Sequence, residues 1–360
     1  MPNIVVVGAG VSGLTCAYLL SKQKDNVITV IAKHMPGDYD IEYASPIAGA
    51  NVLPMSSEKN SSYERRSWVE LRKLAVEVPE AGIHLQKSRV YRREKDLDKL
   101  RQGGYSFDGL FLENPWYQSL FDDYRELSQG ELPPGMASGC EFTSVCVNVM
   151  IYLPWLIGQC RKNGVVLRRG QLGHIAEASG MSHTGGAVSV VVNATGLMAS
   201  RLGGVMDGRV VPIRGQVVVV RNEAPYMLTK SGTDDAEDEV CYVMTRAAGG
   251  GTVLGGTYAR GRWESQPDPN QALRIMRRAV EMMPELVHPP GRGVDGLDVV
   301  RHAVGLRPYR EGGARVEKEK IGDTWVVHNY GHGGWGYQGS YGCAQDVVAL
   351  VDEVLNQPKL

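Results

Sequence analysis

The sequence lacks the features that mark metal-rich, secreted or membrane-spanning proteins. Its six cysteines are scattered without a Cys-x-x-Cys pair, which disfavours both a zinc site and a disulfide framework. No span of about 20 apolar residues occurs. The apolar N-terminal stretch is interrupted by Gly8, Gly10 and Gly13, and no basic residue precedes it, so it does not match a signal peptide. We therefore expect a soluble intracellular protein with reduced thiols.

An excess of charge is also absent, because 39 basic residues face 40 acidic ones and the net charge is −1. This balance gives no reason to expect a nucleic acid or an anionic membrane as partner, and it leaves small molecules as the expected ligands. The eight histidines show no metal-ligand spacing, so no metal site is expected. With 360 residues, of which 43% are hydrophobic, the chain is long enough for two packed domains.

The N-terminal segment has the pattern of a dinucleotide-binding βαβ unit. A β-branched run at 3–7 predicts a buried parallel strand, apolar spacing at 12–23 predicts a helix, and 27–31 predicts a second strand. The turn between the first strand and the helix is Gly8-Ala9-Gly10-Val11-Ser12-Gly13. Its glycines permit a tight turn and close backbone approach to a pyrophosphate, which is attracted by the positive end of the helix.

This turn alone does not decide which dinucleotide binds. An acidic residue at the end of the second strand would hold the ribose 2′-OH, but the chain has Ala32-Lys33-His34 there. A basic residue at that point can mark NADP. FAD and NADP are therefore both candidates.

The rest of the chain predicts helices and short strands in alternation. We predict a charge-rich helical region at 56–100, loops and short strands at 103–140, and a helix at 149–163. Further strands are predicted at 165–167, 187–192, 210–221, 239–244, 251–258 and 325–329. A helix at 270–283, a glycine cluster at 331–342 and a final helix at 343–356 complete the prediction.

Five further segments carry a specific resemblance to a known family. They are Ala44-Ser45-Pro46-Ile47-Ala48-Gly49-Ala50-Asn51, Asn193-Ala194-Thr195-Gly196-Leu197, Arg214-Gly215-Gln216, Gly305-Leu306-Arg307-Pro308 and Gly331-His332-Gly333-Gly334-Trp335-Gly336-Tyr337-Gln338. Together with the glycine turn, they resemble the D-amino-acid oxidases, most closely the fungal branch. The six motifs occur in the family's order and span nearly the whole chain.

The resemblance implies that FAD is the cofactor and that a D-amino acid and O2 are the substrates. The implied products are a 2-oxo acid, ammonia and hydrogen peroxide, formed by hydride transfer from Cα to flavin N5. The residues that the resemblance and the glycine turn assign to FAD are Gly8, Ala9, Gly10, Val11, Ser12, Gly13, Lys33, His34, Ala44, Ser45, Gly49, Ala50, Asn51, Gln171, Gly196, Arg307, Gly333, Gly334, Trp335, Gly336, Tyr337 and Gln338.

Because the flavin performs the chemistry, the protein mainly has to orient the substrate. The resemblance assigns the substrate carboxylate to Arg307, whose planar guanidinium suits a bidentate pair, and to the hydroxyl of Tyr242. For Tyr242 the alternative is a core tyrosine with a satisfied hydroxyl. Tyr226, which follows Ala224-Pro225, resembles the family's second active-site tyrosine. A carbonyl near Gly334 would accept a hydrogen bond from the substrate amine, and Gln338 would reach the substrate through water.

Alternatives to oxidation of neutral D-amino acids stay open. D-aspartate oxidase activity would require a second cation, for which Arg246 is a candidate, although we expect it to be structural. Met55 occupies a position that resembles one where animal D-aspartate oxidases have histidine. A methionine at this position favours neutral substrates. An NAD(P)-dependent dehydrogenase, motivated by Lys33, and a non-catalytic flavin-binding protein are the other classes. Arg310 is expected to be solvated.

The predicted fold class is α/β, with a FAD-binding Rossmann-like domain and a second α+β domain, built on an antiparallel sheet, for the substrate. The FAD-binding domain is predicted to comprise 1–55, 141–212 and 300–360. The substrate-binding domain is predicted to comprise 56–140 and 213–299.

The segment Pro358-Lys359-Leu360 is close to the Ser-Lys-Leu peroxisomal address but differs at its first position. It leads us to expect a peroxisomal protein recognised by the import receptor, with a cytoplasmic location as the alternative. The family resemblance also implies a homodimer.

Overall fold

The structure, a computed structural model, describes residues 1–102 and 109–357. The predicted loop residues 103–108 and the predicted targeting segment Pro358-Lys359-Leu360 lie outside the described residues. The strands of the described residues are β1 (Asn3–Val7), β2 (Val27–Ala32), β3 (Ile83–Arg93), β4 (Arg125–Glu126), β5 (Met136–Val147), β6 (Val166–Arg169), β7 (Val188–Asn193), β8 (Val210–Val220), β9 (Met227–Lys230), β10 (Glu239–Thr245), β11 (Thr252–Thr257), β12 (Ala259–Arg260), β13 (Val299–Arg310), β14 (Arg315–Ile321) and β15 (Thr324–Tyr330). Their α-helices are α1 (Val11–Leu20), α2 (Ser62–Glu77), α3 (Leu97–Gln102), α4 (Val149–Lys162), α5 (Pro269–Met282) and α6 (Ser340–Leu355).

The chain divides into two compact units, and the first comprises Met1–Ala48, Met150–Ile213 and Leu306–Leu360. Its six-stranded sheet has the order β14-β15-β7-β1-β2-β6. All neighbours are parallel except β14 and β15, which form an antiparallel pair. The strands β1, β2 and β7 are almost continuous runs of Val and Ile and are nearly all buried, as parallel strands usually are. The predicted βαβ unit at the N-terminus is confirmed, with a helix shorter than predicted.

The second unit comprises Gly49–Val149 and Arg214–Gly305. Its strands belong to a sheet of order β12-β8-β11-β10-β9-β3-β5-β4, with β13 paired to β8. The sheet is mixed and not purely antiparallel as predicted, because β3 and β9 run in parallel. The sequence pattern does not show whether two strands so far apart run in parallel, because their relative direction depends on how they pair.

Side chains of the second sheet alternate between two apolar clusters on its opposite faces, as the two-residue period of strands requires. One face packs against α5 and includes Val218, Leu228, Val243, Leu254 and Ile275. The other face includes Cys146, Val217, Val219, Met227, Met244 and Val253. This alternation decides which polar residues of β9 and β10 can share a site.

Two long strands were missed by the sequence-based prediction. The region 56–100 contains α2 and the start of α3, but between these helices it forms β3, while β5 begins inside the predicted loop region. These strands pair along their whole length, from Ile83 with Val147 to Arg93 with Met136. Each is stabilised by a partner about fifty residues away, which local sequence patterns do not reveal.

The unit boundaries differ from the predicted domain boundaries at 49–55, 141–149, 213 and 300–305. The reason for the first two differences is β5, a continuous strand that the predicted boundary at 141 would cut. Its end also pairs with the segment after Gly49, since Asn51 forms a bridge with Cys146 and Val52 N donates to the carbonyl of Val145 at 3.1 Å.

Among the described residues, no helix is long and apolar enough to cross a lipid bilayer.

A histidine is buried inside the first sheet. His328 on β15 is 0% exposed and lies between two fixed partners, the amide of Asn193 at 3.1 Å from Nδ1 and the carboxylate of Glu319 at 2.8 Å from Nε2. Asn193 Oδ1 accepts from Thr195, so its NH2 group faces the ring and donates to Nδ1. His328 is therefore neutral, with its proton on Nε2. Burial and the charge of Arg315 lower the pKa of His328 to about 4.

We predict that His328 makes the fold sensitive to acid. Its folded pKa lies below the ordinary value of about 6.5, so the unfolded chain binds the proton more readily between those two values. The free energy of unfolding should consequently fall as pH decreases from about 6.5 to about 4, by up to about 3 kcal/mol. Urea unfolding of His328→Asn should show a shallower loss over this range than the wild type. The control is His302→Asn at an exposed position; equal slopes for the wild type and His328→Asn would contradict the prediction.

Candidate active site

Gly8 and Gly13 of the N-terminal turn occupy positions where a side chain would not fit, and Gly10 has little room for one. Gly8 has φ +111°, and a Cβ there would lie 2.3 Å from the carbonyl oxygen of Ala194. A Cβ on Gly13 would lie 2.0 Å from the carbonyl oxygen of Gly8, so α1 packs directly on the turn. A Cβ on Gly10 would lie 3.0 Å from Ser45 Oγ. The turn thus leaves its backbone open to close approach by a ligand.

The first turn of α1 presents backbone N–H groups beside a hydroxyl. Gly10 is the N-cap and offers no side-chain acceptor, and residues 11–14 include no acidic residue. Val11 N donates to Ser45 Oγ at 3.0 Å, which brings the Ala44–Asn51 motif to the same helix end. A positive helix end of this kind, with a glycine cradle before it, suits a pyrophosphate.

Lys33 and Gln171 lie at one edge of the first sheet. Ala32 at the end of β2 pairs with Arg169 at the end of β6, so the chain leaves the sheet at adjacent points. Gln171 is exposed. Lys33 Nζ lies 3.5 Å from a carboxylate oxygen of Glu42. This carboxylate counters the charge of Lys33 at the edge where an acidic residue was missing from the motif.

His34 is held next to the glycine turn by a residue that the sequence analysis did not identify. The ring of Tyr43 stacks on His34 with centroids 5.8 Å apart, and the Tyr43 hydroxyl donates to the carbonyl of Ala9 at 2.7 Å. His34 Nε2 is buried without a hydrogen-bond partner in the part of the chain that the structure describes, and Asp40 is 3.8 Å away. A buried polar atom without a partner at this edge fits the presence of a polar ligand such as an adenosine. No spacing rule would have identified Tyr43.

The segment after β7 completes the cradle. Asn193 Oδ1 accepts from Thr195 N at 3.2 Å and from Thr195 Oγ1 at 2.8 Å, which fixes the turn that meets Gly8. Gly196 has φ +58°, and a Cβ there would lie 3.8 Å from Pro308. The predicted contact residue Gly196 therefore lies beside the strand that carries Arg307.

The strand with Arg307 is hydrogen-bonded to the glycine loop 331–338. Gly333 N donates to the carbonyl of Pro308 at 2.7 Å, and Tyr309 forms a bridge with His332. Arg307 is partly exposed at this junction. A guanidinium and a loop rich in backbone N–H and C=O groups are thereby brought together in the first unit.

The glycine loop also contacts the N-terminal turn. The hydroxyl of Tyr337 donates to the carbonyl of Ser45 at 2.9 Å. A Cβ on Gly336 would lie 3.9 Å from a methyl group of Val11. The structure thus joins the glycine turn, Ser45 and the loop 331–338, which are far apart in sequence, around one helix end.

Aromatic packing fixes the shape of the loop. The ring of Trp335 lies 2.3 Å from the position of a Cβ on Gly339, and His332 meets Trp335 edge-on with centroids 4.9 Å apart. Burial lowers the pKa of His332 to about 4, so this histidine is neutral near pH 7. Gly334 is exposed and Gln338 is buried.

In the second unit, β10 holds the remaining part of the Ala44–Asn51 motif. The carbonyl of Gly49 accepts from Arg246 Nε at 2.6 Å, and a Cβ on Gly49 would lie 2.3 Å from Met244 Sδ. Val147 N donates to the carbonyl of Ala50 at 2.8 Å. Arg246 is buried and fixes backbone, in agreement with the structural role expected for it.

Tyr242 occupies the same face of β10 as Met244. It pairs across the sheet with Gly255, and a Cβ on Gly255 would lie only 1.9 Å from the Tyr242 ring. A Cβ on Gly256 would lie 2.9 Å from the Tyr242 hydroxyl. The ring therefore lies across the bare backbone of β11, which fixes the direction of the hydroxyl. The two glycines inside the strand were the available sequence signal for this close approach.

Tyr226 is not brought to the same place as Tyr242. It packs against the cluster on the α5 face with Leu228 and Val243, and the guanidinium of Arg89 lies 4.3 Å above its ring. Tyr242 packs on the opposite face. Because alternate residues of a strand point to opposite faces, Tyr226 lies partly buried on the face of the sheet opposite to that of Tyr242. Burial raises the pKa of Tyr226 to about 12.

The expectation of a solvated Arg310 is wrong. Arg310 is buried and donates from Nε to the carboxylate of Asp207 at 2.7 Å. The sequence around Arg310 does not reveal this ion pair, because Asp207 lies about a hundred residues earlier in the chain.

Among the described residues, His34, Asp40 and Glu42 could supply a metal ion with three neighbouring ligand atoms. Two cations oppose this use of the group. Lys33 and Arg201 lie 3.5 Å and 3.7 Å from the carboxylate of Glu42. A bound cation would be repelled by both, so the cluster does not support a metal site.

Comparison with known proteins agrees with this geometry. A sequence model of the family described as FAD dependent oxidoreductase matches residues 3–350. The chain is 60% identical to the D-amino-acid oxidase of Fusarium vanettenii, over 98% of this chain and 97% of the relative. It is 36% identical to the D-amino-acid oxidase of Schizosaccharomyces pombe, over 97% of this chain and 95% of the relative. The crystal structure of glycine oxidase from Geobacillus kaustophilus has the same fold, with a TM-score of 0.74, 20% identity and coverage of 98% of this chain and 95% of that one.

The family match decides between the two cofactors that the glycine turn left open. FAD is the cofactor, and the NAD(P)-dependent dehydrogenase motivated by Lys33 is excluded. The predicted α/β fold class with a Rossmann-like unit is confirmed. The chain belongs to the D-amino-acid oxidase family of FAD-dependent oxidoreductases.

Proposed function

We propose that this enzyme oxidises neutral D-amino acids with O2 and water to 2-oxo acids, ammonia and hydrogen peroxide. The observation that carries the proposal is the hydrogen bond from Gly333 N to the carbonyl of Pro308, at 2.7 Å. It joins the strand of Arg307 to the loop 331–338, so a carboxylate-binding guanidinium and the backbone groups of the loop lie at one junction. Family membership supplies the redox cofactor for this reaction.

Bound FAD supplies a hydride acceptor that oxygen can reoxidise. The residues of the first unit that would hold it are the glycine turn with α1 and Ser45 at the pyrophosphate, the edge with His34 at the adenosine, and the loop 331–338 at the flavin. Backbone N–H groups that point at a reduced ring stabilise its negative charge. The Trp335 packing would keep those groups in place.

Arg307 would bind the α-carboxylate in a bidentate, charge-assisted pair that fixes the direction of Cα. The substrate amine has to be neutral when the hydride leaves, because an ammonium has no lone pair to assist. A backbone carbonyl near Gly334, which is exposed, would accept an N–H of that amine. In the second unit, the resemblance assigns the hydroxyl of Tyr242 as a donor to a carboxylate.

The buried state of Arg246 supports neutral rather than acidic substrates. A D-aspartate oxidase needs a second cation for the side-chain carboxylate, and Arg246 was the candidate. Its Nε donates to the carbonyl of Gly49 at 2.6 Å, and the residue is buried. Its use as a substrate ligand would break this contact and disturb the segment assigned to the flavin.

We predict that D-alanine and D-methionine reduce the bound flavin and that D-aspartate and glycine do so far more slowly. The test is loss of flavin absorbance near 450 nm after anaerobic addition of each amino acid to the holoenzyme. L-Alanine is the control. A flavin that stays oxidised with all D-amino acids would indicate a non-catalytic flavin protein, and faster reduction by D-aspartate would reverse the assignment of substrate class.

Replacement of Arg307 by Ala should raise KM for D-alanine about 100-fold, because a charge-assisted pair contributes about 3 kcal/mol and each tenfold change is about 1.4 kcal/mol. Arg307→Lys should recover part of this loss, since it keeps the charge without the planar fork. Arg292→Ala at an exposed site serves as the control. A KM within threefold of wild type for Arg307→Ala would remove the assigned role.

The two tyrosines offer a matched comparison. Tyr242→Phe should raise KM about tenfold, since it removes one hydrogen bond to a charged group and keeps the ring on Gly255. Tyr226→Phe should change KM and kcat by less than twofold, because its ring packs on the other face of the sheet. Steady-state kinetics with D-alanine decide the matter, and an equal effect of both changes would refute the assignment of faces.

We also propose peroxisomal import through Pro358-Lys359-Leu360, on sequence grounds only, and a homodimer, on family resemblance only. The support for import is the likeness to Ser-Lys-Leu. A fluorescent protein ending in residues 340–360 should enter peroxisomes, and Leu360→Ala should prevent it.

The proposed homodimer is tested by light scattering of the holoenzyme, which should give the mass of two chains.

A further inference from the structure

A buried carboxylate outside the residues assigned to substrate and FAD connects the parts of the site in the first unit. Asp207 lies between the short helical turn Gly196–Ser200 and β8, and only 8% of the residue is exposed. Neither the sequence motifs nor the proposed reaction gives it a role. Burial of a charged group at such a place requires an explanation, because it is unfavourable unless its partners are fixed.

Oδ1 of Asp207 accepts from the neighbouring Arg209 N at 3.1 Å and lies 3.6 Å from the exposed guanidinium of Arg209. The partners of Oδ2 come from two distant segments. Oδ2 accepts from Arg310 Nε at 2.7 Å and from the hydroxyl of Tyr330 at 2.9 Å. Tyr330 stays protonated and can donate, because burial raises its pKa to about 12. Arg315 donates to the oxygen of Tyr330 at 3.1 Å, so the hydroxyl is held on both sides.

Both segments lead directly to the candidate active site. Arg310 follows Arg307 by three residues on β13, and Tyr330 immediately precedes the glycine loop 331–338. The backbones of the two segments also meet, since Arg310 N donates to the carbonyl of Gly331 at 3.2 Å. Asp207 thus binds one side chain from the strand that carries Arg307 and one from the base of the loop.

The segment that presents Asp207 is itself fixed and strained. Asp207 N donates to the carbonyl of Ala199 at 3.0 Å, and Met206 N donates to the carbonyl of Leu202 at 2.9 Å. Met206 has φ +41°, a backbone conformation that is unfavourable for any residue with a side chain, although its side chain is largely exposed. The exposed side chain of Met206 does not account for this strain. We infer that the conformation serves to place the next residue, Asp207.

We propose that Asp207 is a positioning residue that sets the distance and angle between the guanidinium of Arg307 and the loop 331–338. The inference rests on the proposed function, because it gives Arg307 the substrate carboxylate. Asp207 touches neither substrate nor FAD in this scheme. It acts through Arg310 on one side and Tyr330 on the other, and removal of its charge leaves the buried guanidinium of Arg310 without its counter-ion.

The test compares three variants of the holoenzyme with the wild type. Asp207→Asn keeps the shape and removes the charge. Tyr330→Phe is milder, since it removes one donor to Asp207 and leaves the pair with Arg310 intact. Met206→Gly is the matched control, because glycine adopts φ +41° without strain and every contact of Asp207 is kept.

Four quantities are measured for each variant at 25 °C and pH 7.5 with excess FAD. They are KM and kcat for D-alanine, the dissociation constant of pyruvate from the change in flavin absorbance, and the thermal unfolding midpoint. Pyruvate carries the carboxylate without the amine, so its affinity reports the carboxylate-binding group separately from the reaction. For Asp207→Asn we expect KM and the pyruvate dissociation constant to rise together by about tenfold, with kcat within threefold of wild type. For Tyr330→Phe we expect both constants to rise by about threefold, and for Met206→Gly no change in either.

Two results would overturn the proposal. The first is a lower unfolding midpoint in Asp207→Asn and Tyr330→Phe while KM and pyruvate affinity stay within twofold of wild type, which is what a purely structural role gives. The second is a rise in KM that disappears as FAD is increased, which would place the effect on cofactor retention. If Asp207→Asn does not fold, Tyr330→Phe decides by the same criteria. Failure of the proposed function is distinguishable, because the wild-type flavin would then not be reduced by D-alanine at all.

Discussion

The contact between the backbone of Gly8 and the carbonyl of Ala194 limits where every other part of the first unit can lie. It brings the end of β1 against the turn after β7 at a distance that no side chain on Gly8 would allow. The packing of Gly13 on Gly8 then directs the N-terminus of α1 toward that same point. Ser45 accepts a hydrogen bond from the first residue of α1, and Tyr337 donates to the carbonyl of Ser45. The position of the loop 331–338 therefore depends on the contact between the two turns.

The sequence predicted the parts of the molecule that depend on local pattern. The βαβ unit, the glycine turn and the order of motifs needed only period, spacing and resemblance. The pairing of β3 with β5 could not be predicted, because each strand depends on a partner far along the chain. Arg310 shows the same limit at the site, since its burial depends on Asp207, which no motif connects with it. Tyr226 and Tyr242 were placed together by resemblance, but Tyr226, which directly precedes β9, packs on the face opposite to that of Tyr242 in β10.

Three alternate residues, two in β10 and one directly after it, have different roles in the second unit. Tyr242 would bind the substrate, Met244 packs on Gly49, and Arg246 holds the carbonyl of Gly49. Because these side chains share a face, a shift of β10 by one residue would lose all three contacts together. The strand therefore couples the position of a substrate ligand to the position of the segment assigned to the flavin.

The bare backbone beneath Tyr242 has a consequence for attempts to change which substrates the enzyme accepts. If position 242 alone is mutated, Gly255 and Gly256 still form a flat backbone surface that fits the ring of Tyr242. Smaller residues at 242 would leave a gap above the glycines, and a larger residue at 255 would be accepted only after the ring is gone. Libraries that vary 242 and 255 together can therefore reach combinations that are closed to either single change.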